Sequence, residues 1–225
     1  MAAKPSLGHM MSDLIRSQAH VQQPTKQQQA SSQVHDLYKR GLRNIRGDRN
    51  MHPDRKRVEI AELYATTRAA LDKLRTEQTQ QDQTDMAKLE RKMWGYDDVR
   101  ATAIDKAAVD HTIRDAQDRA AKLTKPEQAA QALARAEQAG DHILARAIGK
   151  RAHDQDWGDV LHDYLSTRPR TADDYQQAGT IWHRNNSTQA RMQHHMQYVV
   201  HKPDELRGTS DGDIEAMADP QESAA

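Results

Sequence analysis

The chain has 225 residues, of which 36% are apolar, and its 33 Lys and Arg balance its 33 Asp and Glu. The absence of cysteine excludes disulfides, thiolate metal sites and cysteine nucleophiles, and zero net charge argues against polyanion binding along the whole length. Phe is absent and Gln, Asp, Arg and Ala abound with few β-branched residues, so the expected class is all-α with disordered ends.

Residues 1–31 read as a disordered N-terminal arm, with Met10–Ile15 as a short amphipathic turn that orders on a partner. A first helix is expected from Ser32 to Arg46, carrying Val34, Leu37, Tyr38, Leu42 and Ile45 on one face and stopped by Gly47. Pro53 suits the first turn of a second helix. From Asp54 to Trp94 there is no Gly or Pro. Apolar residues recur at helical spacing at both ends of that stretch: Ile60, Leu63, Tyr64, Leu71 and Leu74, then Met86, Leu89, Met93 and Trp94. Between them Thr76–Asp85 has no apolar side chain, and the second stripe falls one residue late, as a four-residue step like a coiled-coil stutter would produce. A single helix with a solvated middle is expected, because nothing there breaks it; the alternative is two helices joined by a Gln-rich hinge.

Gly95 should end this element, and Asp97 or Asp98 should cap a third helix reaching Leu123, with Val99, Ala103, Ile104, Ala107, Ile113, Ala116 and Ala120 as its face. The second and third helices then suit an antiparallel hairpin with Trp94 and Tyr96 at its tip. Thr124–Glu127 reads as a capping box opening three short helices, Pro126–Ala139, Asp141–His153 and Asp159–Ser166, which hold the densest apolar cluster in the chain. Thr171–Asp174 should cap a last helix running through Trp182 to His201, before Pro203 and an acidic tail. The expected layout is an elongated helical hairpin region over 32–123, a small multi-helix bundle over 124–202 and a disordered acidic tail over 203–225.

Little in the sequence suggests catalysis. There is no Walker A loop, GxGxxG or GxSxG, and the carboxylates are spread too evenly for an acid–base pair to stand out. The histidines show no HExxH; His194 and His195 are adjacent and so point to different sides of a helix, His201 lies six or seven residues on, and no His pair at i,i+4 comes with a carboxylate in ligand spacing. Asp154, Asp156, Asp159 and Asp163 crowd one turn but fail the EF-hand spacing, which would need Gly and Glu where Asp159 and Leu165 stand. No catalytic residue, metal ligand or cofactor is expected. A helix-turn-helix over Asp159–Trp182 is disfavoured by carboxylates at the start of its recognition helix. No apolar run reaches transmembrane length and no signal peptide is evident, so the expected location is a host cytoplasm or a virion, neither secreted nor in a membrane.

Two charge blocks stand out. Lys39–Arg57 is basic (Lys39, Arg40, Arg43, Arg46, Arg49, Arg55, Lys56, Arg57), and the chain from Asp204 onward is acidic. Such blocks mark interaction segments or solvated tails. The apolar residues Ile60, Tyr64, Leu71, Leu74, Met86, Leu89 and Met93 are the expected face for self-association or for a protein partner. Nucleic acid is the secondary expectation, through Arg40, Arg43, Arg46, Arg49, Arg55, Lys56 and Arg57.

The segment Ala134–Pro169 has an Ala-rich helix, a Gly-Asp turn, a second Ala/Arg helix and Trp-Gly-Asp-Val leading to a Tyr-Leu end. It resembles helical virion structural and assembly proteins of actinobacterial phages. The layout, with disordered ends, a polar helical middle and opposed charge blocks, resembles phage scaffolding proteins, although the basic block here is N-terminal and the C-terminus acidic. The resemblance implies a non-enzymatic structural or assembly protein whose partners are virion or capsid proteins, with no catalytic residue to carry over.

Overall fold

The computed structural model describes residues 24–218, and the chain is all-α. The Met10–Ile15 turn and the extreme C-terminus lie outside the described residues. By compactness the described chain falls into two units, a central one of residues 83–183 and a terminal one of residues 24–82 with 184–218. These units do not follow the expected 32–123 and 124–202 division. Helix α2 contributes to both, and the chain returns after residue 183 to complete the core it began.

The terminal unit opens with α1 (Lys26–Gly47), six residues before the expected start at Ser32. The reason is local: Thr25 and Gln28 form a reciprocal capping box, in which Thr25 Oγ1 accepts from the Gln28 amide at 3.2 Å and the Thr25 amide donates to Gln28 Oε1 at 2.8 Å. Tyr38 is buried on the helix's inner face, with Val34, Leu42 and Ile45 partly so, but Leu37 is 59% exposed and does not belong to that face.

Helix α2 (Pro53–Trp94) is one uninterrupted helix of 42 residues, with Pro53 at its start and Asp54 in its first turn. Most of its middle, Thr76–Asp85, is exposed as expected, but one side of it is not. Gln78 and Asp82 are 1% and 2% exposed, and they continue the inward stripe between Leu74 and Met86. The steps 74, 78, 82 and 86 are each of four residues, so the late register of the second stripe is absorbed by two buried polar side chains.

The terminal unit is completed by the end of α8 (Pro169–Asn186), then α9 (Thr188–Gln197), a 3-10 turn (Asp204–Leu206) and α10 (Asp211–Ala218). The expected helix running to His201 is broken at Ser187, whose backbone is extended and whose hydroxyl accepts from the Ala190 amide. Asn185, Asn186 and Ser187 form helices poorly, because their side chains compete for nearby backbone groups. The expected disordered tail is, as far as Ala218, an ordered part of the core: Leu206 and Ile214 are 0% and 1% exposed beside Ile60, Tyr64 and Leu71. Ser210 caps α10 by accepting from the Asp213 amide at 3.1 Å while its hydroxyl donates to Asp213 Oδ2.

In the central unit the expected third helix is two, α3 (Asp97–Thr102) and α4 (Lys106–Ala121). Ala103 is extended, and the Asp105 carboxylate accepts from the Ala107 and Ala108 amides as N-cap of α4. Ile104, expected in the core, lies fully exposed in this break. Only Ile113, Ala116 and Ala120 of the expected face are buried.

Helix α5 (Pro126–Gln138) starts where expected, but Lys125 is its N-cap and the Thr124 capping box does not form. Helices α6 (His142–Asp154) and α7 (Gly158–Ser166) follow, with α6 packed on α4, α5 and α7. The inner side of α6 is built from small residues, Ala145, Ala147, Gly149 and Ala152, around Leu144 and Ile148. These let neighbouring helices approach closely: a Cβ on Gly149 would lie 2.7 Å from the Tyr164 ring. The chain leaves α5 through Gly140 at φ 69° and leaves α6 through Asp156 at φ 57°. At each turn a six-to-one hydrogen bond closes the helix, Asp141 N to Ala136 O and Trp157 N to Ala152 O. Helix α8 begins at Pro169, so Thr171 lies inside its first turn rather than capping it.

Candidate interaction surfaces

The seven residues expected to face a partner are consumed by the chain's own cores. Ile60, Tyr64 and Leu71 are buried in the terminal unit with Leu74 packed against them; Leu89 and Met93 are buried in the central unit with Met86 packed against them. This corrects the expectation of a free hydrophobic face. In periodicity a stripe that packs within a chain is identical to one that packs between chains. Trp94 and Tyr96 likewise sit inside the central unit. Trp94 stacks on His153 and Tyr164, while Tyr96 is buried under the Arg146 guanidinium.

The two opposed charge blocks meet each other. Arg46, near the end of α1, forms a bidentate pair with Glu205 at 2.7 and 2.8 Å. Arg57, on the first turns of α2, donates to the Thr209 hydroxyl at 2.9 Å. Farther along, Arg68 contacts Asp211 at 2.9 Å and Glu215 at 3.8 Å, and Lys202 contacts Asp211 at 2.8 Å. Pairing with Arg46 lowers the Glu205 carboxyl below its ordinary range, and hydrogen bonding to Lys202 with the charge of Arg68 lowers Asp211. These pairs are largely solvent-facing, where water and salt screen the attraction, so they guide the docking of the two blocks more than they stabilise the fold. The remainder of the basic block is divided. Arg55 pairs with Glu59, Lys56 donates to the Arg46 carbonyl, and Arg40 to the Asp36 carbonyl. Lys39, Arg40, Arg43 and Arg49 are exposed, and the spacing of Lys39, Arg43 and Arg46 places them along one side of α1.

A buried polar cluster in the terminal unit was missed in the sequence. Asp82 accepts from Gln78 Nε2 at 2.6 Å, from Arg184 Nη2 at 2.5 Å and Nε at 3.1 Å, and from Asn185 Nδ2 at 3.1 Å. Gln78 in turn accepts from the Thr25 hydroxyl at 2.5 Å. Every polar group of the supposedly solvated middle that is buried is thus matched. Beside the cluster the Tyr198 hydroxyl is buried with no hydrogen-bond partner among the described residues. The one signal available was the four-residue spacing of Gln78 and Asp82 with Leu74 and Met86.

In the central unit an open groove of about 570 Å³ is lined by Lys88, Arg91, Arg146, Asp98, Arg170 and Asp174, among others. Arg146 is held by a bidentate pair with Asp98, both distances 2.7 Å, and by the Gly95 carbonyl. Asp174 pairs with Lys92 at 3.5 Å. Of the aspartates around Trp157, Asp154 pairs with Lys150 and Asp156 turns the chain. Among the described residues no group of three or more His, Asp or Glu is placed to hold a metal ion, and no helix is long and apolar enough to cross a membrane.

No protein-family model matches this chain, and none of the curated proteins or solved structures compared with it is similar.

Proposed function

We propose that this chain is a non-enzymatic structural or assembly protein that works through protein–protein contacts, with virion or capsid proteins of a phage, or a second copy of itself, as the partner. The virion setting rests on the sequence resemblance of Ala134–Pro169 and the scaffold-like layout. The observation that carries the contact role is on α9. Met192 and Met196 stand one turn apart on that helix, 68% and 50% exposed. Paired methionines suit a docking face, because the flexible thioether adapts to a partner's surface. Multi-angle light scattering and binding to purified virion proteins test this. Wild-type chain should self-associate or bind a virion component, and Met192→Glu/Met196→Glu should lose that association while keeping its helical signal. A chain that stays monomeric at high concentration and has no affinity for virion proteins overturns the reading.

A second reading is nucleic-acid binding, supported by the exposed Lys39, Arg40, Arg43 and Arg49 at the end of α1 and the turn after it. It requires affinity that falls steeply with salt and disappears when these positions become Gln.

A further inference from the structure

The acidic segment is seated on Arg46 and Arg57 of the basic block and on Arg68 beyond it. Arg57 and Arg68 are eleven residues apart on α2, which brings them to one side of the helix, and both contact the segment 209–215. Arg46 on α1 is engaged by Glu205 through both carboxylate oxygens, the same fork geometry with which a guanidinium grips a phosphate. At Arg46 and Arg68 the acidic side chains therefore stand where phosphate oxygens would, and at Arg57 the Thr209 hydroxyl of the same segment does.

The attachment of α10 is light. Ile214 is its only buried side chain, with Met217 partly buried, and an open groove of about 510 Å³ runs beside it, walled by Tyr64, Arg68 and Asp72 of α2 and by Asp211 and Glu215. A short helix held by one buried residue opens more readily than the core beneath it. Arg46, Arg68 and Glu205 also keep about a third or more of their side-chain surface in water, so a competing anion can reach these pairs without the core opening.

We propose that the acidic C-terminal segment, through Glu205, Asp211 and Glu215, is an intramolecular cover that competes with nucleic-acid phosphates for Arg46, Arg57 and Arg68. The cover rests on the nucleic-acid reading and adds to it: the surface is larger than the cations exposed at rest, and the chain's own carboxylates set its affinity.

The test is fluorescence anisotropy of a labelled random-sequence DNA duplex, titrated with full-length protein over a salt series. Glu205→Gln/Asp211→Asn/Glu215→Gln keeps side-chain shape and leaves Leu206 and Ile214 in place. A control with the same charge change, Asp118→Asn/Glu127→Gln/Asp163→Asn, alters exposed acids of the central unit. The cover variant should bind at least tenfold more tightly than the control, with a steeper salt dependence. Adding Arg46→Gln/Arg57→Gln/Arg68→Gln should remove that gain.

An equal gain in the control, or a gain that survives loss of the three arginines, overturns the cover. Duplex binding by wild type that the cover variant does not improve overturns the cover and leaves the nucleic-acid reading standing. No binding by any variant at low salt removes both. An equal gain for poly-glutamate overturns the choice of phosphate as ligand.

Discussion

Removing Arg184 should be among the most damaging single changes in the terminal unit. The Asp82 side chain is 3% exposed and its four hydrogen bonds come from Gln78, Asn185 and the two guanidinium contacts, so only Arg184 supplies an opposite charge. Arg184→Ala leaves a buried carboxylate with amide donors alone, and breaking a buried pair from one side costs about 3–5 kcal/mol. Against the 5–15 kcal/mol typical of a folded domain, that is roughly a third of the total. Asp82→Leu/Arg184→Met removes both charges together. Of the two amides left without their acceptor, Asn185 is exposed and turns to water, so the remaining cost is that of the buried Gln78 amide, about 1–3 kcal/mol. The double variant should therefore be more stable than Arg184→Ala, with a coupling between the sites well outside additivity. Because the chain has two compact units, a single global transition is not the right readout. Peptide-resolved hydrogen exchange over α1 and α9, measured against urea, reports this unit directly. A cost below about 1 kcal/mol for Arg184→Ala, or a double variant equal to the sum of its singles, would refute the buried-pair argument.

Tyr198→Phe removes a buried hydroxyl that has no partner among the described residues, so it should be neutral or raise stability by about 1 kcal/mol in the same exchange experiment. Gly149→Ala places a methyl against the buried Tyr164 ring and should cost about 1–3 kcal/mol by overpacking, seen as a lowered thermal transition of the central unit. Asp156→Gly should raise that transition by about 0.5–1 kcal/mol in stability, since glycine adopts the left-handed backbone at φ 57° without the Cβ penalty. Burial, then the charge of Lys150, holds His153 below its ordinary range, and Trp94 stacks on its ring. The unfolded chain then binds the extra proton first. Stability from this group is complete above about pH 6.5 and falls as pH drops through the lowered value. His153→Phe should flatten that slope in acid titrations followed by circular dichroism.

What could be read from the sequence was what depends on residues close together in the chain. The continuity of α2, the start of α5 at Pro126 and the extents of α6 and α7 follow from helix propensity, proline in the first turn and short apolar stripes. Two caps were also legible though unread: Thr25 with Gln28, and Ser210 with Asp213, both reciprocal pairs three residues apart. The breaks at Ala103 and Ser187 were harder, because each depends on a cap competing with an otherwise helical run.

The long Gly- and Pro-free stretch determined by itself that α2 would be one helix, since nothing in it opposes propagation. Only the tertiary structure decided what its faces do. Its apolar ends fill the chain's own cores, and Gln78 and Asp82 in its polar middle are buried because Arg184 and Asn185, about a hundred residues later, supply the donors that Asp82 needs. Local chemistry specifies a helix, but whether a polar side chain faces water or a partner depends on which distant segment arrives with the matching charge. The same dependence joins the acidic tail to the basic block: the sequence displays both, and folding sets one upon the other.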